Sequence, residues 1–271
     1  MAKAKRAMQG DVKLVDMVVE LLDARAPLSS RNPDIDTLAN NKLRMVILNK
    51  ADLADERINK RWKEYFTQQG IHTVLLDARN SGAKKPVIDA IMQAAQKKFE
   101  RDRARGIINR PVRIMVAGIP NVGKSTLINS VAGKACTKTG NKPGVTRGNQ
   151  WIRLNKQVEL LDTPGILWPK FEDEKVGENL AFLGSVNDEI MELTELAANL
   201  INTLKNIAPD ALTARYGIEM DENPYIVMER IAIARAALQK GGEADINKAS
   251  RFILEDFRSG KLGRISLEQP N

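Results

Sequence analysis

The sequence predicts an α/β protein: a mostly parallel sheet with helices on both faces, followed by an all-helical segment. Short, continuous apolar runs alternate with amphipathic stretches up to about residue 178. Such runs mark strands buried on both faces, because a half-solvated sheet would alternate apolar and polar residues. Beyond that point no strand signal remains and helical spacing takes over, with the sign of the charge reversing at the same place.

Residues 1–13 read as a basic helix. Val15–Leu22 is apolar and β-branched and stops at the turn Asp23-Ala24-Arg25-Ala26-Pro27. Leu43–Leu48 is a second strand, ending at Asn49, and residues 56–69 have helical spacing. His72–Leu76 is a third strand, and Pro86–Arg105 reads as one long helix with a basic end. Val112–Ala117 is a fourth strand and Lys124–Ala132 a helix. Trp151–Leu154 and Val158–Leu161 form a short pair around Asn155-Lys156, a hairpin turn. Helices are expected near residues 188–205, 223–239 and 245–258, with Gly241-Gly242 separating two of them.

The chain has 271 residues, of which 43% are hydrophobic and 28% charged, the balance of a globular protein with an ordinary core. Its single cysteine, Cys136, forms no internal disulfide and points to a reducing compartment. No apolar run approaches the roughly 20 residues of a bilayer span, and no signal-peptide pattern opens the chain. A cytoplasmic protein with no membrane partner is expected. The net charge is +8, divided as +13 over residues 1–177 and −5 over residues 178–271. Two basic stretches stand out: Lys97, Lys98, Arg101, Arg103, Arg105, Arg110 and Arg113, and the carboxylate-free run from Lys134 to Lys156. Such stretches suit a polyanionic partner, since phosphate neutralisation releases counterions, but they also suit a solvated basic surface.

Residues 118–125, Gly-Ile-Pro-Asn-Val-Gly-Lys-Ser, follow a strand and open a helix. This is the context in which G-x-x-x-x-G-K-[ST] forms a phosphate loop. Glycines let backbone N–H groups turn toward phosphate oxygens, and the helix adds its positive end. Asn121, Val122, Gly123, Lys124, Ser125 and Thr126 are expected to hold the nucleotide, with Lys124 on the β- and γ-phosphates and the Ser125 hydroxyl on Mg²⁺. Asn49-Lys50-Ala51-Asp52 supplies the base. The Asp52 carboxylate accepts from both guanine donors, Asn49 braces the loop, and the Lys50 stem lies over the ring. Adenine lacks both donors and would leave a desolvated carboxylate unpaired. Asp77-Ala78-Arg79 adds a contact from the Ala78 N–H to guanine O6, although such loops usually carry Ser where Asp77 stands. Asp162-Thr163-Pro164-Gly165 ends a strand, so Asp162 is expected to hold Mg²⁺ through water and the Gly165 N–H to sense the γ-phosphate. Thr146, in the stretch 142–148, completes the Mg²⁺ shell and closes when GTP is bound.

Together these five motifs resemble a GTPase of the translation-factor class, but their order is rotated. Base elements at 49–52 and 77–79 precede the phosphate loop and the switches, so the chain is read as a circularly permuted P-loop GTPase domain joined through residues 80–111. Permuted order, the Asp23–Pro27 turn and the helical tail are similar to the bacterial ribosome biogenesis GTPase A family. That resemblance implies a GTPase domain over residues 1–177 and a helical domain over 178–271 similar to small RNA-binding modules. It further implies a factor acting late in assembly of the large (50S) ribosomal subunit, binding rRNA rather than DNA, as a monomer. If the helical domain touches RNA, its basic end (Lys248, Arg251, Arg258, Lys261 and Arg264) is the expected surface. The short connection after Gly165 also suggests that the switch biases the arrangement of the two domains.

The catalytic residues expected are Lys124 and Thr146, with the water-activating residue unassigned. Ile166 stands where many GTPases place Gln, so hydrolysis is expected to be slow alone and stimulated by the subunit. The resemblance implies a helping histidine in a Phe-Pro-Gly-His segment ahead of Met-Ala-Lys-Ala, whereas this sequence opens at Met1-Ala2-Lys3-Ala4. It also implies K⁺ beside Asn121, supplying charge where other systems insert an arginine. His72 is read as structural, Cys136 as a filler or surface thiol, and Trp62, Trp151 and Trp168 as packing residues. Two alternatives remain open: a GTP-dependent RNA-binding switch with little hydrolysis, and a permuted GTPase of organellar ribosome assembly.

Overall fold

The computed structural model describes residues 9–108, 110–133, 150–162, 173–186 and 192–270. Six strands form one sheet: β1 Met17–Asp23, β2 Leu43–Asn49, β3 His72–Leu75, β4 Val112–Ala117, β5 Gln150–Arg153 and β6 Val158–Asp162. Their order is β3-β2-β1-β4-β6-β5. All neighbours are parallel except β5, which runs antiparallel to β6. Residues 9–14 are helical, and the named helices that accompany the sheet among the described residues are α1 Ile35–Leu38, α2 Glu56–Gln68, α3 Lys84–Ala94, α4 Gln96–Ala104 and α5 Lys124–Ala132.

The continuous apolar strands have the expected cause. Every residue of β1 is buried. Met17, Val19 and Leu21 face a core shared with α3 and α5. Val18 packs with Ile35, and Leu22 with Trp62 and Phe66, on the opposite face. That face also takes Glu20, which is buried and neutralised by Arg31 and Arg44. Helix α2 starts because the Asp55 carboxylate accepts from the Arg57 and Ile58 N–H groups at 2.7 and 3.2 Å.

Several element boundaries differ from expectation. The first strand begins at Met17 and includes Asp23. The single helix expected over 86–105 is two. Ala95 leaves helical geometry at φ −91°, ψ 1°, and the Lys98 N–H bonds the Ala95 carbonyl in a tightened turn. The first helix begins two residues early, at Lys84, because Pro86 falls in its first turn, where no N–H partner is needed. The hairpin turn stands as read: the Asn155 Oδ1 accepts from Gln157 and Val158 at 2.7 and 2.8 Å.

Beyond residue 173 the named elements are all helical: α6 Glu174–Phe182, α7 Leu193–Ile207, α8 Ala211–Tyr216, α9 Pro224–Ala234 and α10 Ile246–Arg258. Helices α6 and α8 carry too short an apolar pattern to have been anticipated. The expected helix over 223–239 stops at Ala234, where Arg235 takes φ −100°, ψ 8°. The division expected at residues 177 and 178 falls within α6. Its Leu180 packs in the sheet's core, while Ala181 and Phe182 pack with α7 to α10 in a second core.

Residues 262–270 return across the sheet. The Ile265 N–H bonds the Leu53 carbonyl at 2.9 Å and the Leu267 N–H bonds the Arg25 carbonyl at 2.8 Å. The Glu268 carboxylate accepts from the Leu28 and Ser29 N–H groups at 2.7 and 3.0 Å. No helix among the described residues is long and apolar enough to cross a membrane.

Candidate nucleotide site

Strands β4 and β6 run parallel, so their C-terminal ends bring Gly118–Lys124 and Asp162 to the same edge of the sheet. In open α/β sheets this edge is where ligands bind. The loop after β4 turns through Asn121 at φ +61° and Gly123 at φ +98°, a conformation that favours glycine. Close packing fixes the glycines further. A Cβ on Gly118 would lie 2.9 Å from Val122 Cγ1 and 3.0 Å from the Leu21 carbonyl oxygen, and one on Gly123 would overlap Asn49 Nδ2. Helix α5 then starts without a side-chain cap, leaving its first N–H groups directed at the loop.

Lys124 Nζ lies 2.8 Å from Asp162 Oδ1, and both side chains are buried. A buried ammonium and carboxylate beside an uncapped helix end suit a phosphate chain and its divalent ion. Among the described residues no group of three or more His, Cys, Asp or Glu side chains gathers to cage a metal. Mg²⁺ typically takes one or two protein oxygens and completes its shell with phosphate and water. Asp162 and Ser125 are the described residues that would hold it. Thr146 and Gly165 lie outside the described residues, as do Cys136, Ile166 and Trp168.

The base elements reach the same place. Asn49 ends β2, and its Nδ2 donates to the Val122 carbonyl of the phosphate loop at 2.8 Å. Its Oδ1 accepts from the Ala78 N–H at 2.9 Å. One buried amide therefore ties loops from three separate segments together. Lys50, at φ +57°, extends its Nζ to the Asn121 carbonyl at 2.8 Å and to Asp23 Oδ2 at 2.9 Å. Burial pulls the Lys50 ammonium below its usual value despite the attraction of Asp23.

Three expectations meet a different arrangement. The Ala78 N–H, expected to face guanine O6, is engaged by Asn49. The Asp52 carboxylate is ion-paired with Arg79, which also binds Asp77 Oδ1 at 2.9 Å. That hydrogen bond holds the Asp77 carboxyl below its usual range, against partial burial. Asn121 turns its amide toward the Gly184 carbonyl at 2.5 Å, away from the ion role assigned to it and onto the end of α6.

Asp23 and Arg25, which the sequence marks only as part of a turn, form a buried charge pair beside Lys50. Both are 1% exposed. The Asp23 carboxylate accepts from Arg25 Nε and Nη2 at 2.9 Å each, and Arg25 Nη1 reaches the Phe257 and Arg258 carbonyls at 3.3 and 3.4 Å. Burial alone would raise the Asp23 carboxyl, but the Arg25 and Lys50 charges outweigh it and hold the group well below the usual range. The signal in the sequence was two opposite charges closing an apolar strand.

The other expected contacts resolve as follows. His72 begins β3 at the far end of the sheet, and Trp62 is fully buried. Trp151 is not a packing residue: it is 41% exposed, with the Arg113 guanidinium 5.0 Å from its ring centroid. Much of the C-terminal basic end is spent within the chain. Arg258 donates to the Phe182 carbonyl at 3.0 Å and Arg264 to the Ala54 carbonyl at 2.8 Å, while Lys248 and Lys261 pair with Asp245 and Asp256.

The profile described as "50S ribosome-binding GTPase" matches residues 113–230. The ribosome biogenesis GTPase A of Bacillus cereus is 44% identical over 271 residues, spanning all of this chain and 92% of its own length. That of Priestia megaterium is 43% identical, spanning all of this chain and 95% of its own. Among solved structures, GNP-bound YlqF from T. maritima superposes with a TM-score of 0.70 at 30% identity, covering 99% of each chain.

Proposed function

The chain belongs to the ribosome biogenesis GTPase A family, and on that premise we propose that it is a GTP-driven assembly factor of the large (50S) ribosomal subunit. It binds rRNA or pre-ribosomal particles according to its nucleotide state. The carrying observation is Asn49, whose amide joins the phosphate loop to the loop of Ala78, which supports a single nucleotide site built from motifs out of customary order. In this reading the chain is a circularly permuted GTPase domain, residues 1–177, followed by a helical domain, residues 178–271, and acts as a cytoplasmic monomer.

The GTPase reaction breaks the bond between the γ-phosphorus and the β–γ bridging oxygen as water attacks in line, giving GDP and phosphate. Lys124 holds the β- and γ-phosphates and offsets the charge that gathers there. The N–H groups from Asn121 to Thr126 orient the phosphate chain. Asp52 reads the guanine edge once Arg79 releases it, and Lys50 lies over the ring. Ser125, Asp162 and Thr146 would hold Mg²⁺, which would supply positive charge to the phosphate oxygens. Gly165 senses the γ-phosphate. Asn121 reaches a K⁺ ion only after leaving the Gly184 carbonyl, and faster turnover in KCl than in NaCl is the expected sign. Equal rates would remove K⁺ from the account.

Co-sedimentation with large subunits in GDP, in a GTP analogue and without nucleotide tests the reading, together with turnover with and without subunits. Pelleting favoured by the GTP analogue and stimulated turnover are expected. Indifference to nucleotide in both assays would overturn it.

A further inference from the structure

Basic residues from two stretches far apart in the sequence, the second represented by Arg153 and Lys156, meet at the N-terminal ends of β4 and β6, the pole opposite the phosphate loop. A cavity of about 680 Å³ there is lined by Arg103 at the end of α4, Arg110 from the α4–β4 connection, and Arg153 and Lys156 from the β5–β6 hairpin. Its carboxylate, Asp102, is already bound by Lys98 at 2.6 Å. Arg110 is paired with Asp16 at 3.5 Å, whereas Arg103 and Lys156 have no ion-pair partner among the described residues, so the positive charge there is only partly compensated. Apolar surface lies alongside, with Ile108 77% exposed. Trp151 and Arg153 are two residues apart on the edge strand and so share a face, which places an exposed aromatic ring, already carrying Arg113, next to the cationic cavity.

We propose that this pole of the sheet binds single-stranded RNA, with phosphates held by the four cations and a base stacked on Trp151. The inference rests on the ribosome-assembly reading and adds to it the surface that touches RNA. Cations tracking a backbone beside an aromatic platform are the combination that recognises unpaired nucleotides. A duplex hides its bases and makes no use of the ring. An acidic peptide satisfies the cations but gains little from stacking.

The test uses the full chain and a fluorescein-labelled single-stranded RNA of about 12 nucleotides, within the usual footprint of such surfaces, followed by anisotropy over a salt series. The double variant Arg103→Glu, Lys156→Glu is expected to weaken binding about tenfold or more and to flatten the salt slope. Trp151→Ala is expected to weaken it about fivefold or more, with the slope kept. GDP affinity and the melting temperature should match the unaltered chain in both. Unchanged RNA affinity in both variants overturns the proposal, as does a poly-glutamate peptide competing as well as RNA. Co-sedimentation separates the two readings. If the chain pellets with large subunits but RNA affinity ignores these variants, the surface is wrong and the assembly role stands. If the chain never pellets, the assembly role falls, and the oligonucleotide data still decide the surface.

Discussion

The ammonium of Lys124 and the carboxylate of Asp162 lie 2.8 Å apart, each with under a tenth of its side chain exposed. The two charges neutralise one another in a buried pair. Lys124→Met strands a buried carboxylate, and breaking such a pair costs about 3–5 kcal/mol. Urea denaturation without nucleotide should show this loss together with lost GTP binding. A loss under about 1 kcal/mol would mean that Asp162 is rescued by another cation or by water.

Asn49 and Gly123 are coupled by contact. Gly123→Ala forces a Cβ onto Asn49 Nδ2 and places alanine at φ +98°, so both stability and nucleotide affinity should fall. Adding Asn49→Gly removes the clash but not the backbone strain. The double variant should therefore be less damaged than the sum of the singles, by about 0.5–3 kcal/mol. Strict additivity in a denaturation cycle would mean that the clash relaxes by itself.

Asp52 is expected to select guanine. Asp52→Asn should weaken GDP binding roughly tenfold to a hundredfold, the cost of about 1–3 kcal/mol for mispaired buried groups, and gain affinity for xanthine nucleotides. Fluorescent-nucleotide titration measures both. Unaltered guanine preference would move the base site elsewhere.

Asp23 sets an acid limit on stability. Its folded-state pKa lies below the unfolded value, so its contribution is fully present above the ordinary carboxylate range and is lost as pH falls through the folded value. Melting temperature should hold from pH 7 to about 5 and then decline. Asp23→Asn leaves Arg25 buried without its counter-charge, so it should be less stable at pH 7 and flatter on acidification. An identical acid slope in both proteins would assign the effect to other carboxylates.

The parts of the site legible in the sequence were those fixed within a few residues. Gly118, Gly123 and Lys124 announce a phosphate loop because backbone conformation and helix start are local, and the apolar runs at residues 43–48 and 112–117 announce buried strands for the same reason. The Asp52–Arg79 pair was not legible, since it depends on two loops meeting at adjacent strand ends. The break at Ala95 and the return of residues 262–270 onto Leu53 and Arg25 likewise leave no periodic trace.

Sequence alone carried a phosphate-loop pattern, the expectation of a guanine-reading carboxylate and an α/β scaffold, all written in short-range steric and periodic constraints. Tertiary structure decided which groups face each other. It set strand order, the tie from Asn49 across three loops, the burial of Asp23 with Arg25, and the meeting of basic residues from two stretches at the far pole. Pairings between distant segments depend on where the packed sheet places them, because a charge or an amide is satisfied by whichever partner the fold brings within reach.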